Sequence, residues 1–88
     1  MFIVSKVLLD ETQGLGGLSP MEPLLFRDLA SARAAANGLV RDFVEAHPGA
    51  SSWSRDALGL SQVAASGECR LFAMVDVTEA APQGVSDA

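Results

Sequence analysis

The chain has 88 residues, 49% of them apolar and 19% charged, with a formal charge of −5. A chain this short forms one domain and buries only about 60–65% of its unfolded surface. It is too apolar to be disordered, and it lacks the run of about 20 apolar residues that crosses a membrane. Its six basic residues, Lys6, Arg27, Arg33, Arg41, Arg55 and Arg70, are scattered. Without a basic patch to neutralise phosphates, nucleic acid is not an expected partner.

The first nine residues contain Ser5 and Lys6 and have neither the basic start nor the long apolar middle of a secretory signal. Cys69 is the single cysteine, so no internal disulfide forms and a structural zinc site is disfavoured. Both features favour a cytoplasmic location.

Residues 2–9 (Phe-Ile-Val-Ser-Lys-Val-Leu-Leu) are rich in strand formers and predict a strand. Alternation places Ile3, Ser5, Val7 and Leu9 on one face and Phe2, Val4, Lys6, Leu8 and Asp10 on the other. Residues 11–22 hold three glycines and a proline and predict a long loop. Residues 23–26 predict a short second strand.

Asp28 is placed to cap a helix by accepting from the free amides of its first turn. Leu29, Ala32, Ala36, Val40 and Phe43 then recur at helical spacing, with Ser31, Arg41, Asp42 and Glu45 opposite, predicting a helix from Leu29 to His47. Pro48-Gly49 ends it. Asn37-Gly38 is a turn signal inside this helix, and it leaves open either a tolerated glycine or a kink.

Residues 49–56 read as a polar loop around Trp53, and 57–65 as a weak strand. Ser66-Gly67 is a turn, and 68–78 form a strong strand. In that strand Cys69, Leu71, Ala73, Val75 and Val77 alternate with Arg70, Phe72, Met74 and Asp76. The expectation is one α+β domain over 1–78, with an antiparallel sheet of about four strands in ββαββ order and one helix on one face. Residues 79–88 are expected to be a disordered tail.

The first and last strands are both apolar on both faces, yet one helix covers only one face. The second face is expected to carry Phe2, Val4, Leu8, Phe72 and Met74, rimmed by Lys6, Asp10, Arg70 and Asp76. An apolar face with a charged rim marks an interface, and a second copy of the chain is its commonest partner. The competing reading folds the 11–22 loop back over this face through Leu15 and Leu18.

No catalytic or cofactor-binding constellation is evident. His47 falls where a helix C-terminus favours an imidazolium, and capping is the first expectation for it. Cys69 is expected to be a buried structural cysteine. Trp53 either plugs the core or anchors a partner. Gly14, Gly16 and Gly17 fail the phosphate-loop spacing, because Ser19 stands where the third glycine belongs and no helix follows. No acidic spacing marks a calcium loop.

Phe2-Ile-Val-Ser-Lys, the Gly-rich segment, and Leu25-Phe26-Arg27-Asp28-Leu29-Ala30-Ser31-Ala32-Arg33-Ala34-Ala35-Ala36 resemble a loose pattern in small domains of filamentous fungi. Those domains run strand, loop, Ala-rich helix, strand pair. Arg33 stands where the pattern often has Asn. The resemblance implies the layout and no chemistry.

Two functions follow from these readings. The first is a non-catalytic protein–protein interaction domain, self-associating through the apolar sheet face. The alternative is a small enzyme or apolar-ligand-binding protein of the dimeric α+β barrel kind. There, His47, Trp53 or Cys69 would line a cavity between helix and sheet.

Overall fold

In the computed structural model, residues 1–80 are described, apart from the side chain of Leu15. Strand β1, Phe2–Asp10, lies inside a six-stranded antiparallel sheet. On one side it pairs along its whole length with β6, Leu71–Glu79. On the other it pairs with β2, Leu18–Pro20, and then β3, Leu24–Phe26. Strands β5, Ser61–Ala65, and β4, Ser51–Ser54, continue the sheet beyond β6. The spatial order is β2-β1-β6-β5-β4, with β3 beside β2 along β1.

The β2–β3 edge is in effect one bulged strand. Val7 faces Pro20 and Val4 faces Leu24, so three steps along β1 match four along its neighbour. The extra residue falls at 21–23, where Pro23 has no amide to donate. The expected 11–22 loop is therefore partly ordered. A short 3-10 segment, Glu11–Gly17, turns the chain and β2 returns along the edge of β1. Asp10 begins the turn by accepting from Thr12 N (3.0 Å), Thr12 Oγ1 (2.6 Å) and Gln13 Nε2 (3.1 Å). Gly17 ends it so close to the Asp10 carbonyl that a Cβ would collide with that oxygen.

Helix α1, Leu29–Ala46, lies across one face of the sheet. Asp28 caps it as expected, accepting from Ser31 N at 2.7 Å and Ser31 Oγ at 2.9 Å. Ala32, Ala36, Val40 and Phe43 are buried; Leu29, expected in the same stripe, is exposed at the first turn. The helix is unbroken through Asn37-Gly38. Asn37 Oδ1 instead accepts from Gln62 Nε2 on β5 at 2.8 Å, which ties helix to sheet. A Cβ on Gly38 would meet only the Arg41 guanidinium, at 4.0 Å.

The core comprises those four helix residues with Val4, Ala64, Ala73, Val75 and Val77, and Phe2, Leu8, Phe26, Leu39 and Leu71 pack around it. Small residues dominate both layers, so the helix can approach the sheet closely.

Four expectations need correction. The sheet has six strands rather than about four, because β2 and β4 add to the ββαββ order. Both are short edge segments rich in Ser or Pro, made strands by a neighbour's ladder rather than by their own propensity. Cys69 is exposed, not buried, in the turn before β6, with φ +55°. Residues 57–60, expected to open a strand, instead form a turn. There Asp56 accepts from Leu58 N (2.9 Å) and Leu60 N (3.0 Å), and Gly59 has φ +70°. Of the expected 79–88 tail, Glu79 pairs with Phe2 in the sheet and Ala80 N donates to Met1 O; residues 81–88 lie outside the described residues.

Candidate functional site

Residues directly opposite one another in an antiparallel sheet share a face, so the register assigns every strand side chain to one face. Val4 pairs with Val77, Lys6 with Val75, Leu8 with Ala73 and Asp10 with Leu71. Val75 pairs in turn with Gln62, and Ala73 with Ala64. These residues face α1. Phe2, Val4 and Leu8 therefore belong to the helix-covered side, and Val4 is fully buried there. They do not share a face with Phe72 and Met74. Alternation was legible in each strand, but which face of β1 matches which face of β6 is decided by cross-strand register.

The face turned away from the helix has a consistent layout. One row across the strands runs Leu18, Leu9, Phe72, Ala65 and Ser51. The next runs Pro20, Val7, Met74, Val63 and Trp53. The third contains Ser5, Asp76 and Ser61, and it is extended by Arg55, whose amide donates to Ser61 O. The fourth holds Leu25, Ile3 and Thr78. Two apolar rows thus lie beside one polar row. The edge residues of this face, Leu25, Leu18 and Trp53, are 62%, 49% and 49% exposed, its central Val7, Leu9, Val63, Phe72 and Met74 are half-buried, and Ala65 is buried at 2%.

Trp53 is placed by this pairing. It belongs to β4 at the sheet edge, next to Val63, and is not in the core. The surrounding Ser residues give no strand signal, so the sequence alone leaves core and partner roles equally open. The same pairing adds Ile3, Val7, Leu9, Val63 and Leu25 to the open face. Of the 11–22 segment, β2 lies alongside that face as an edge strand.

His47 is elsewhere. It ends α1, with its backbone amide donating to Phe43 O and Val44 O. Its Nδ1 stands 2.9 Å from Phe43 O, and its ring stacks on Phe43 at 4.3 Å. A carbonyl only accepts, so Nδ1 carries a proton and the side chain closes the helix end. His47 also borders an open cleft of about 460 Å³ whose other walls include Asp10, Thr12, Glu68 and Arg70. This cleft lies where the C-terminal end of α1 (Ala46, His47, Pro48) meets the end of the sheet at Asp10 and Leu71, and its rim is charged. His47, Trp53 and Cys69 are thus dispersed: one caps the helix, one sits on the open face, and one occupies a turn.

The Asp10, Asp28 and Asp56 carboxyls are each held below their ordinary value of 3.8. The main causes are the donors of Thr12, the amide and hydroxyl of Ser31, and the amide of Leu60, respectively. All three are turn and cap groups. Among the described residues, no group of three or more His, Cys, Asp or Glu is arranged to hold a metal ion. No helix among them is long and apolar enough to cross a membrane.

Comparison of the chain with protein-family models, curated proteins and solved structures finds no match.

Proposed function

We propose that this chain is a non-catalytic interaction domain that self-associates by stacking the open sheet faces of two copies. The observation that carries this reading is the one-sided sheet. Helix α1 covers one face, while Val7, Leu9, Val63, Phe72, Met74 and Trp53 are gathered on the other. Covering an apolar surface of that kind is the main source of association free energy.

Size supports a second copy as the occupant. The nine-residue strands β1 and β6 span about 30 Å, and five strand positions span about 20 Å. Taken as a full rectangle that extent is about 600 Å², at the small end of the roughly 800 ± 200 Å² per partner of a standard interface, and two sheets stack face to face at about 10 Å. A symmetric pair buries the same patch twice without any new surface. The sheet edges are less suited to docking. One is the four-residue β4, and the other is broken by the bulge and carries Pro20.

The test is the mass of the chain in solution across a dilution series, by light scattering and sedimentation. Wild type forms a dimer that dissociates on dilution. Met74→Lys, on the open face, is monomeric at the same concentrations, with an unchanged far-UV spectrum. Asp42→Lys, on the exposed side of α1, dimerises as wild type does. A chain that stays monomeric up to millimolar concentration overturns the proposal.

A further inference from the structure

Resting on the self-association proposed above, we infer that the dimer's two-fold axis runs parallel to the strands between β5 and β6. This sets Asp76 of each copy against Ser61 and Arg55 of the other. The observation is the polar row that crosses the open face. Ser5, Asp76 and Ser61 are in direct register, and Arg55 follows at the edge. Asp76 is half-buried near the middle of the face, beside the apolar row of Val7, Met74, Val63 and Trp53.

Stacking two copies takes Asp76 out of water. A carboxylate desolvated without a partner is costly, and two facing each other are worse. That excludes two simple arrangements. An axis along β6, which matches all five strand positions, brings Asp76 onto Asp76. An axis across the strands through the polar row does the same.

Moving the axis half a strand removes the clash in either direction. Between β1 and β6 it sets Asp76 over Ser5, with no cation in that row beside it, and leaves Trp53 uncovered. Between β5 and β6 it covers Trp53 and brings Asp76 toward Arg55. Strands β1, β6, β5 and β4 then cover β4, β5, β6 and β1 of the other copy. Asp76 falls over Ser61, and Ser5 over Arg55. Met74 falls over Val63, Phe72 over Ala65, and Val7 over Trp53, so each large side chain is set against a different partner rather than against itself. Stacked sheets cross at about 30°, which displaces the outer pairs most and those beside the axis least. Asp76 and Ser61 flank the axis. Arg55 is one strand, about 4.8 Å, beyond Ser61, within reach both of the Asp76 carboxylate of the other copy and of its own neighbour Asp56, whose carboxyl the Ser61 side chain and amide engage. Within one copy, Arg55 and Asp76 are two strands apart, about 10 Å. Asp76 thus selects the register, rejecting the symmetric overlap and accepting the offset one.

Charge reversal tests this. Asp76→Arg alone sets Arg against Arg in its own dimer, and Arg55→Asp alone sets Asp against Asp. Each homodimer is weakened at least tenfold by sedimentation equilibrium. Mixed in equal amounts, the two variants form a heterodimer close to wild-type affinity, read by native mass spectrometry, because both cross-copy pairs are then opposite in charge. The double variant recovers its homodimer. If Asp76→Arg does not fold, Arg55→Asp, altered only at the exposed edge, still reports a weakened homodimer. A wild-type dimer whose affinity is untouched by either reversal, or a mixture with no preference for the heterodimer, overturns the register and leaves self-association standing. A monomeric wild type overturns both.

Discussion

Truncating Trp53 separates a partner anchor from a core residue. Trp53 is 49% exposed, on the open face of a four-residue edge strand. A Trp side chain buries up to about 250 Å², so stacking covers at most about 120 Å² per copy, worth about 3 kcal/mol at ~25 cal/mol/Å². Near the rim roughly half of that is realised, about 1.5 kcal/mol per copy and about 3 kcal/mol for the pair, or about 100-fold in Kd. Trp53→Ala therefore weakens the dimer about 100-fold. In the monomer the same change removes a half-exposed edge contact and costs less than about 1 kcal/mol. Sedimentation equilibrium reads the first effect, and urea denaturation at a concentration where the chain is monomeric reads the second. Trp53 is also the only tryptophan. Its emission in wild type shifts to longer wavelength on dilution as the ring becomes wet. A dimer constant unchanged by Trp53→Ala, or a loss of several kcal/mol in the monomer, refutes the assignment.

Two further outcomes concern stability. Gly38→Ala, in a helical position where a Cβ meets nothing closer than the Arg41 guanidinium at 4.0 Å, raises the urea midpoint by the equivalent of about 0.5–1 kcal/mol. Acid unfolding follows from Asp10, Asp28 and Asp56, all lowered below 3.8 in the folded chain. The unfolded chain binds more protons wherever folded values are depressed, so their contribution is complete above the unfolded carboxylate value and is lost as pH falls through the folded ones. Thermal melts show a stability plateau that declines below about pH 4. Asp28→Asn, which keeps a cap oxygen but no charge, flattens that decline.

Local structure was largely legible in the chain because it depends on neighbours a few residues away. The Asp28 cap, the Ala32–Ala36–Val40–Phe43 stripe and the Pro48-Gly49 stop specify α1 without reference to the sheet. The β-rich runs at both ends specify β1 and β6 in the same way. The surplus of apolar strand faces over the single helix was legible too, since it is a property of composition and alternation.

Partnership between distant segments decided the rest. Ser51–Ser54 and Leu18–Pro20 have little strand propensity and become strands because a neighbour's unpaired amides and carbonyls are there to be met. The face shared by Phe72, Met74, Val7, Leu9 and Trp53, rather than by Phe2, Val4 and Leu8, depends on the offset between β1 and β6. A slip of one residue would exchange the two faces, and nothing within either strand records it. The helix resolves the choice, because only one offset sets Val4 opposite Val77 and Leu8 opposite Ala73 beneath its small side chains.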